Sequence, residues 1–398
     1  MTSGPYEIAV VGAGPAGCAL ALHLARTGRR VLLVDGKRVA RGKTCGEGLM
    51  PAGVQELEGL GLGALVEHGQ RFEGVRFRLA GGEQAQASFP GGARGLGLAR
   101  PLLDAGLLEA AQAEPGVEVR LGTWVREVVL SPPGSGEAAR LRVGEAWVEA
   151  RVLVGADGCR SSLRRLAGFE APTPKLARFG VSGHFARSPT TQDPFVEVYV
   201  GSGWELYTTP VGGALTNVAL LLGRERLRAL QGRLEPGLRE LLREAGGRCE
   251  ELAEGEVRSP VRALGPLALQ ATRAHGEAFL LVGDAAGGLD PITGEGLSLA
   301  LHTSRVAAEI LDAALSEGDL SSGRLALWTR ERGRAARTLK GLTTALLFLA
   351  GRPRHARRVV RGLARNPETL ERLLGVASGL RPLSSLRARD GLRLLVGA

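Results

Sequence analysis

Three glycines, Gly12, Gly14 and Gly17, stand between the apolar run IAVV and the helix-like stretch CALALHLAR, and Asp35 closes a second apolar run, VLLVD. This spacing carries phosphate and ribose chemistry. Gly12 permits the tight turn out of a strand, Gly14 lets the backbone come close to a pyrophosphate, and Gly17 lets the following helix lie against its sheet. The phosphates then rest on unpaired N–H groups at the helix N-terminus. Asp35 stands 23 residues after Gly12, where a carboxylate accepts hydrogen bonds from an adenosine ribose. The full succession of strand, turn, helix, strand and acid identifies a dinucleotide-binding βαβ unit.

Two later segments share this grammar. Residues 152–165, VLVGADGCRSSLRR, and 279–301, FLLVGDAAGGLDPITGEGLSLAL, each run an apolar strand into an Asp-bearing glycine turn followed by a helical pattern. Asp157 and Asp284 either fix a ribose hydroxyl or close their turns, and the Gly288–Gly296 segment offers backbone N–H groups to a ring or a pyrophosphate.

The elements that must hold these turns alternate along the chain. After the nucleotide unit at 6–35, Pro51–Leu65 reads as a helix interrupted by glycines. Gly74–Phe89 alternates with period two and reads as a hairpin turning at Gly81-Gly82. Arg100–Gln112 reads as a helix, and Val117–Leu130 and Ala139–Ala150 as strands around the connection SPPGSGE. Residues 178–222 are strand-rich, Arg224–Gly246 is helical, and Ala300–Ala314 is a helix after the third motif. The expected fold is α/β (α+β overall). A discontinuous Rossmann-like nucleotide domain spans 1–75, 95–165 and 275–312. An inserted antiparallel-sheet substrate domain covers 76–94 and 166–274, and a basic helical segment covers 313–398.

With these motifs in order, the chain resembles the FAD-dependent oxidoreductases of the para-hydroxybenzoate hydroxylase-like superfamily, and within it the geranylgeranyl reductase-like branch. The matching pieces are the N-terminal glycine fingerprint, Asp157-Gly158, and Gly283-Asp284 with its tail Asp290-Pro291-Ile292-Thr293-Gly294-Glu295-Gly296, over about residues 6–312. The resemblance implies an extended FAD with its adenosine on Asp35, its ribityl and pyrophosphate near Asp284, and its isoalloxazine near Pro291, Gly294, Glu295 and Gly296. It places Arg100 near the flavin nucleotide, and it extends the cofactor set to Pro15, Ala16, Gly36, Lys37, Val125, Gly158 and Gly283. It also sets Cys45, Gly46, Glu47 and Gly48 against the isoalloxazine. There Glu47 acts as an acid or anchors a flavin edge, and Cys45 donates a proton or packs as a small hydrophobe. The stretch Trp204-Glu205-Leu206-Tyr207-Thr208-Thr209-Pro210 is similar to the aromatic strand that lines the substrate side of the flavin in geranylgeranyl reductases and halogenases, with fewer and shifted aromatics. Trp204 and Tyr207 are therefore expected nearer the substrate.

Composition narrows the setting. The 398 residues, 44% hydrophobic with 59 glycines, suit a glycine-turn-rich α/β protein. Cys18, Cys45, Cys159 and Cys249 form no Cys-x-x-Cys pair, and no His cluster has metal spacing, so neither a disulfide framework nor a metal site is expected. The first strand begins within a few residues of the N-terminus, so a signal peptide is not expected and the cytoplasm is the expected compartment. The net charge of +10 is concentrated: residues 324–398 hold 17 Lys and Arg against 4 Asp and Glu, leaving 34 against 37 for the rest. No run reaches the ~18 apolar residues of a membrane span. The tail reads as basic amphipathic helices that present a solvated face, lie peripherally on an anionic membrane, dock an acidic carrier protein, or cover a substrate tunnel. Nucleic acid is not an expected partner, because no binding motif accompanies the charge.

A flavin reduced by NAD(P)H reduces an alkene or reacts with dioxygen to hydroxylate an electron-rich ring. No second Gly-x-Gly-x-x-Gly unit offers a separate NAD(P)H domain, so transient approach of the donor is expected. The first expectation is a monooxygenase acting on an aromatic or polyketide-like hydrophobic molecule. The second is a double-bond reductase acting on isoprenoid chains, which the Cys45-Gly46 segment favours. A halogenase and a non-enzymatic prenyl-binding escort complete the set.

Overall fold

The computed structural model describes residues 6–39, 42–79, 82–174, 177–186, 193–230, 232–350, 353–387 and 390. At its centre the strand Tyr6–Val11 lies between Val31–Asp35 and Ala146–Gly155, parallel to both, with Val117–Leu121 and Phe279–Leu281 extending the parallel sheet on either side. Residues such as Ile8, Val10, Leu32, Leu33, Val152 and Leu153 are fully buried. That is why these strands read as continuous apolar runs: helices cover a parallel sheet on its faces and leave no solvent side to be polar.

The expected elements appear with local breaks. Pro51–Leu65 becomes two helices, Pro51–Gly59 and Gly63–Glu67. Val117–Leu130 splits into Val117–Leu121 and Val125–Val129. The second pairs with Ala139–Val143, which pairs antiparallel with Ala146–Gly155. The Gly74–Leu79 and Gln84–Ser88 strands pair antiparallel as expected; Gly81 of the turn between them lies outside the described residues.

A second sheet runs in the order Arg262–Leu264, Arg178–Ala186, Leu215–Gly223, Trp204–Gly212, Phe195–Gly201, Gly74–Leu79 and Gln84–Ser88. All its pairs are antiparallel except Gly74–Leu79 with Phe195–Gly201. Period-two alternation gives it two faces. One face, with Phe179, Trp204, Leu206, Val218 and Leu220, packs on Leu238, Leu241 and Leu242 of the helix Leu234–Ala245. The other, with Val75, Val196, Val198, Tyr207, Ala219 and Leu221, meets Val360, Leu363, Leu370 and Leu374.

Those partners belong to three C-terminal helices, Ser322–Ala350, Pro353–Arg365 and Pro367–Ala377. The first is anchored to the parallel sheet by Trp328, which is fully buried and donates its indole N–H to the Leu281 carbonyl at 2.9 Å. The third is tied at its end by Arg372, whose guanidinium donates to buried Asp390 at 2.6 and 3.1 Å. The second is amphipathic: Val360 and Leu363 face inward while Arg354, Arg357, Arg358 and Arg361 are exposed, and Arg357 and Arg361 pair with Glu83. Each inward Leu or Val contributes on the order of 1.5–3 kcal/mol, enough to hold a short basic helix that has little intrinsic reason to form.

Candidate active site

One cavity of about 950 Å3 runs from the first glycine turn, past the third motif, to the C-terminal helices. At its first end Tyr6–Val11 stops at Gly12, whose φ of +113° suits only glycine and where a Cβ would lie 2.5 Å from the Ala156 carbonyl oxygen. A Cβ on Gly17 would lie 1.8 Å from the Gly12 oxygen, so this glycine packs the helix down and does not line the cavity. Gly14 differs: a Cβ there meets nothing within 4 Å, and the residue lines the cavity with Pro15 and Ala16. The helix Pro15–Arg26 opens with Pro at its first turn and has no side-chain cap, which leaves its first N–H groups for a ligand.

Asp35 is oriented by two backbone donors at 2.8 Å, Ala13 N–H on one oxygen and Lys37 N–H on the other, and each oxygen keeps a further lone pair. Gly36, Lys37 and Val125 also line this end. So does Trp124, whose ring would be struck at 2.3 Å by a Cβ on Gly36 and which is nonetheless 58% exposed. An aromatic surface beside an oriented carboxylate on the cavity suits a nucleobase, and residue types alone do not mark it because the neighbouring strand looks ordinary.

The second and third motifs meet through Arg164, a fully buried guanidinium that donates to the carbonyls of Cys159 at 2.7 Å, Ala285 at 3.1 Å and Asp284 at 3.3 Å. Asp157 closes its own turn: its oxygens accept from Ser162 N–H at 2.7 Å, Ser162 Oγ at 2.8 Å, Leu163 N–H at 3.1 Å and Ser161 Oγ. Of the two roles open to it, capping a short helix is the one realised, although Asp157 and Gly158 still line the cavity. Asp284 lines the cavity with Gly283, and its carboxylate has no hydrogen-bond partner among the described residues, as a group held for a ligand's hydroxyls would. Arg332 of the first C-terminal helix reaches the same region and bonds the Gly287 carbonyl.

Beyond this lies the segment Cys45–Gly48. Glu47 is 3% exposed and adopts φ +58°, a conformation that costs a non-glycine residue about 1–2 kcal/mol. The turn is held because Glu47 Oε1 accepts from Arg100 N–H at 2.8 Å and Oε2 meets His184 Nε2 at 2.6 Å. Arg100 is buried and clamped on Asp104 by two 2.7 Å bonds. Asn217 donates to the Cys45 carbonyl at 2.9 Å, and burial pushes the Cys45 thiol up, so it keeps its proton near neutral pH. Cys45, Gly46, Glu47 and Arg100 all line the cavity.

Facing them is the loop of Pro291, Gly294 and Gly296, also on the cavity. Tyr207 Oη donates to the Ile292 carbonyl at 3.1 Å, and Arg178 bridges Asp290 at 3.1 Å and Glu205. Burial raises Asp290 while Arg178 opposes the rise. Glu295 departs from the expectation of cofactor contact: it is 3% exposed, does not line the cavity, and burial holds its carboxyl well above the usual carboxylate range, with Oε1 unpartnered among the described residues.

Trp204 also departs. Its expected place is beside the substrate, yet it is 1% exposed on the opposite face of the sheet, packed with Leu206 and Leu238 and donating to Glu244 at 3.1 Å. Residues 204 and 207 differ in parity on one strand and therefore point to opposite faces. Tyr207, Glu205 and Thr209 take the cavity side. Past Tyr207 the cavity becomes an apolar tunnel, floored by Val75, Phe77, Leu79, Val196, Val198 and Val200 of the second sheet and roofed by Leu342, Leu346, Val359, Val360, Leu363, Leu370, Leu373 and Leu374 of the C-terminal helices. Among the described residues no helix is long and apolar enough to cross a membrane.

Residues 5–341 match the family model described as FAD binding domain. The chain is 32% identical over 322 residues to the menaquinone reductase of Mycolicibacterium smegmatis, covering 77% of this chain and 76% of that protein. It is 27% identical to the digeranylgeranylglycerophospholipid reductase of Methanosarcina mazei, covering 80% and 78% respectively. Among solved structures it resembles a flavoprotein/dehydrogenase from Cytophaga hutchinsonii at a TM-score of 0.81 and 20% identity, over 94% of this chain and 93% of that one.

Proposed function

Because this chain belongs to the FAD binding domain family and is an FAD-dependent oxidoreductase, we propose that it reduces a carbon–carbon double bond in a long isoprenoid-type chain. The observation that carries this reading is the tunnel, which continues from the dinucleotide cradle between an apolar sheet face and three apolar helix faces. A compact aromatic substrate needs a closed pocket, whereas an extended apolar lining gains about 0.8 kcal/mol for each CH2 it buries and suits a polyprenyl tail. Reductases of a quinone and of a prenylated lipid among the relatives support the same direction. Hydroxylation, the first expectation from the sequence, has no comparable support, since the likeness to solved structures speaks for the fold alone.

In this reading Gly12, Gly14, Pro15 and Ala16 would hold the pyrophosphate of FAD, Asp35 the ribose, Trp124 the adenine, Asp284 the ribityl chain, and Pro291, Gly294 and Gly296 with Cys45–Gly48 the ring. When bound and reduced by a transiently approaching NAD(P)H, FAD would supply the hydride. The protein's part is to align one double bond at the ring and exclude water: Tyr207 and the Arg178 pair fix the 290–294 loop, and the roof helices keep the tunnel dry. Of the roles open to the basic tail, covering the tunnel is the one this geometry supports.

The test is anaerobic reoxidation of the reduced holoenzyme by a geranylgeranyl lipid, with the product analysed by mass. Reoxidation with a gain of two hydrogens in the chain is expected. Reoxidation only on admitting dioxygen, with oxygen incorporated into an aromatic substrate, would replace this reading with hydroxylation.

A further inference from the structure

We infer that Ser259, His184 and Glu47 form a proton relay into the cavity, an inference that rests on the reductase reading above. Saturating one alkene consumes a hydride on one carbon and a proton on the other: the π bond breaks, two C–H bonds form, and the flavin is left oxidised until a reduced nicotinamide restores it. The hydride is the cofactor's, but the proton has to be delivered inside a cavity whose far end is walled by Val, Leu and Phe. One hydrogen-bonded line reaches the cavity from the Arg262–Leu264 edge of the second sheet. His184 Nδ1 lies 2.8 Å from Ser259 Oγ, and its Nε2 lies 2.6 Å from Glu47 Oε2. Ser259 is half-buried at the outer end, and Glu47 lines the cavity at the inner end.

Directionality follows from the remaining bonds. Ser259 Oγ already accepts the His184 backbone N–H at 3.0 Å, which favours donation of its own proton to Nδ1 and leaves the Nε2 proton directed at Glu47. Glu47 Oε1 is fixed by Arg100 N–H, so the carboxyl is aimed, not swinging. Each turnover then takes one proton in at Ser259 and releases one at Glu47. The charged and titratable groups around Glu47 are His184 on the strand, Cys45 on its own loop, and Arg100 neutralised by Asp104 on the helix Arg100–Ala113. His184 faces Glu47 and Ser259, with neutral Asn217 as its register partner; Arg258 contributes only a backbone N–H. His184 is thus a positioning residue that acts through Glu47.

The experiment uses the FAD holoenzyme, photoreduced anaerobically and mixed with a geranylgeranyl lipid, with flavin reoxidation followed against pH in H2O and D2O. His184→Gln is expected to slow reoxidation at least tenfold, within the range of general acid catalysis, to flatten the pH profile and to change the solvent isotope effect, while the flavin spectrum and KM stay unchanged. Ser259→Ala, at the half-buried end, is the second variant and is expected to slow the same step less. A second readout needs neither cofactor nor lipid: 15N NMR of the imidazoles in the apo protein should show a hydrogen-bonded His184 Nε2 whose chemical shift moves in Glu47→Gln. An unchanged shift, or an unchanged pH profile and isotope effect in His184→Gln, overturns the relay. Failure of the wild type to reoxidise with the lipid overturns the reductase reading instead, and the NMR result still decides whether the hydrogen-bonded line exists.

Discussion

Replacing Gly14 by Val separates cofactor binding from folding more cleanly than any other change in the first motif. The backbone at Gly14 has φ −83° and ψ −178°, extended geometry that valine adopts freely, and a Cβ there meets nothing within 4 Å. The folding cost is therefore limited to exchanging a glycine N-cap for a β-branched one, about 1 kcal/mol, which in a protein of this size lowers the apo Tm by roughly 1–2 °C. The binding cost is larger, because the two γ-methyl groups fill space that the pyrophosphate would share with the first N–H groups of the helix. Losing one charge-assisted hydrogen bond costs about 1.5–3 kcal/mol, so FAD affinity should fall roughly ten- to a hundredfold for each one lost. Gly17→Ala is the contrast: its Cβ would sit 1.8 Å from the Gly12 oxygen, so it should impair folding before it impairs binding. FAD titration by fluorescence quenching, with apo and holo melting curves on both variants, measures the two costs separately. A folded Gly14→Val protein that retains stoichiometric FAD at unchanged affinity would refute the assignment of this turn to the pyrophosphate.

Trp204→Ala should cost about 3–5 kcal/mol of stability through the cavity it leaves, yet leave KM for the prenyl substrate unchanged in the folded fraction; a raised KM with an unchanged Tm would return Trp204 to the substrate side. Val360→Trp, which narrows the tunnel at the roof, should reduce turnover of a long chain at least tenfold while sparing a short one, measured as kcat/KM across a series of chain lengths; equal losses for all lengths would mean that the tunnel does not hold the tail. Glu56 is held down to about 2 by His302 and Arg305. A depressed carboxylate stabilises the fold above its ordinary pKa and stops doing so as pH falls through the folded value, so about 2 kcal/mol should be lost between roughly pH 4.5 and 2. The urea midpoint of Glu56→Gln should lack that acid-side slope, and a slope identical to the wild type would assign the loss to other groups.

What was legible in the chain was whatever local spacing decides. The 6–35 unit, the Gly283-Asp284 turn and the 74–89 hairpin each depend on neighbours in sequence, and each is found where its pattern placed it. The site failed to be legible where partners are distant: His184 meets Glu47 across 137 residues and Arg178 meets Asp290 across 112, and no residue pattern marks either pair. Trp204 was misplaced for a different reason. The likeness to an aromatic strand sets both Trp204 and Tyr207 beside the substrate, although an odd separation on a strand means opposite faces. Glu295 shows a third limit, since a carboxylate beside a glycine loop looks exposed to a ligand until its burial is known. The basic helix Pro353–Arg365 was visibly amphipathic, but only the fold shows that its apolar face closes a tunnel.

That roof has a consequence for how such a protein changes over generations. Its helices all lie beyond Gly318, where the helix Gly296–Glu317 ends in a left-handed cap, whereas the cradle of turns that would hold the dinucleotide is complete before that point. Changes that lengthen, shorten or reshape the roof of the channel can therefore be confined to a contiguous stretch of gene that leaves the glycine turns of the cradle untouched. Trp328 and Arg332 are fastenings such change has to preserve, since they join the roof to the parallel sheet and to the Gly287 turn. Beyond those fixed points the tail can vary, and one flavin engine can be fitted to hydrophobic chains of many lengths by exchanging its last fifth.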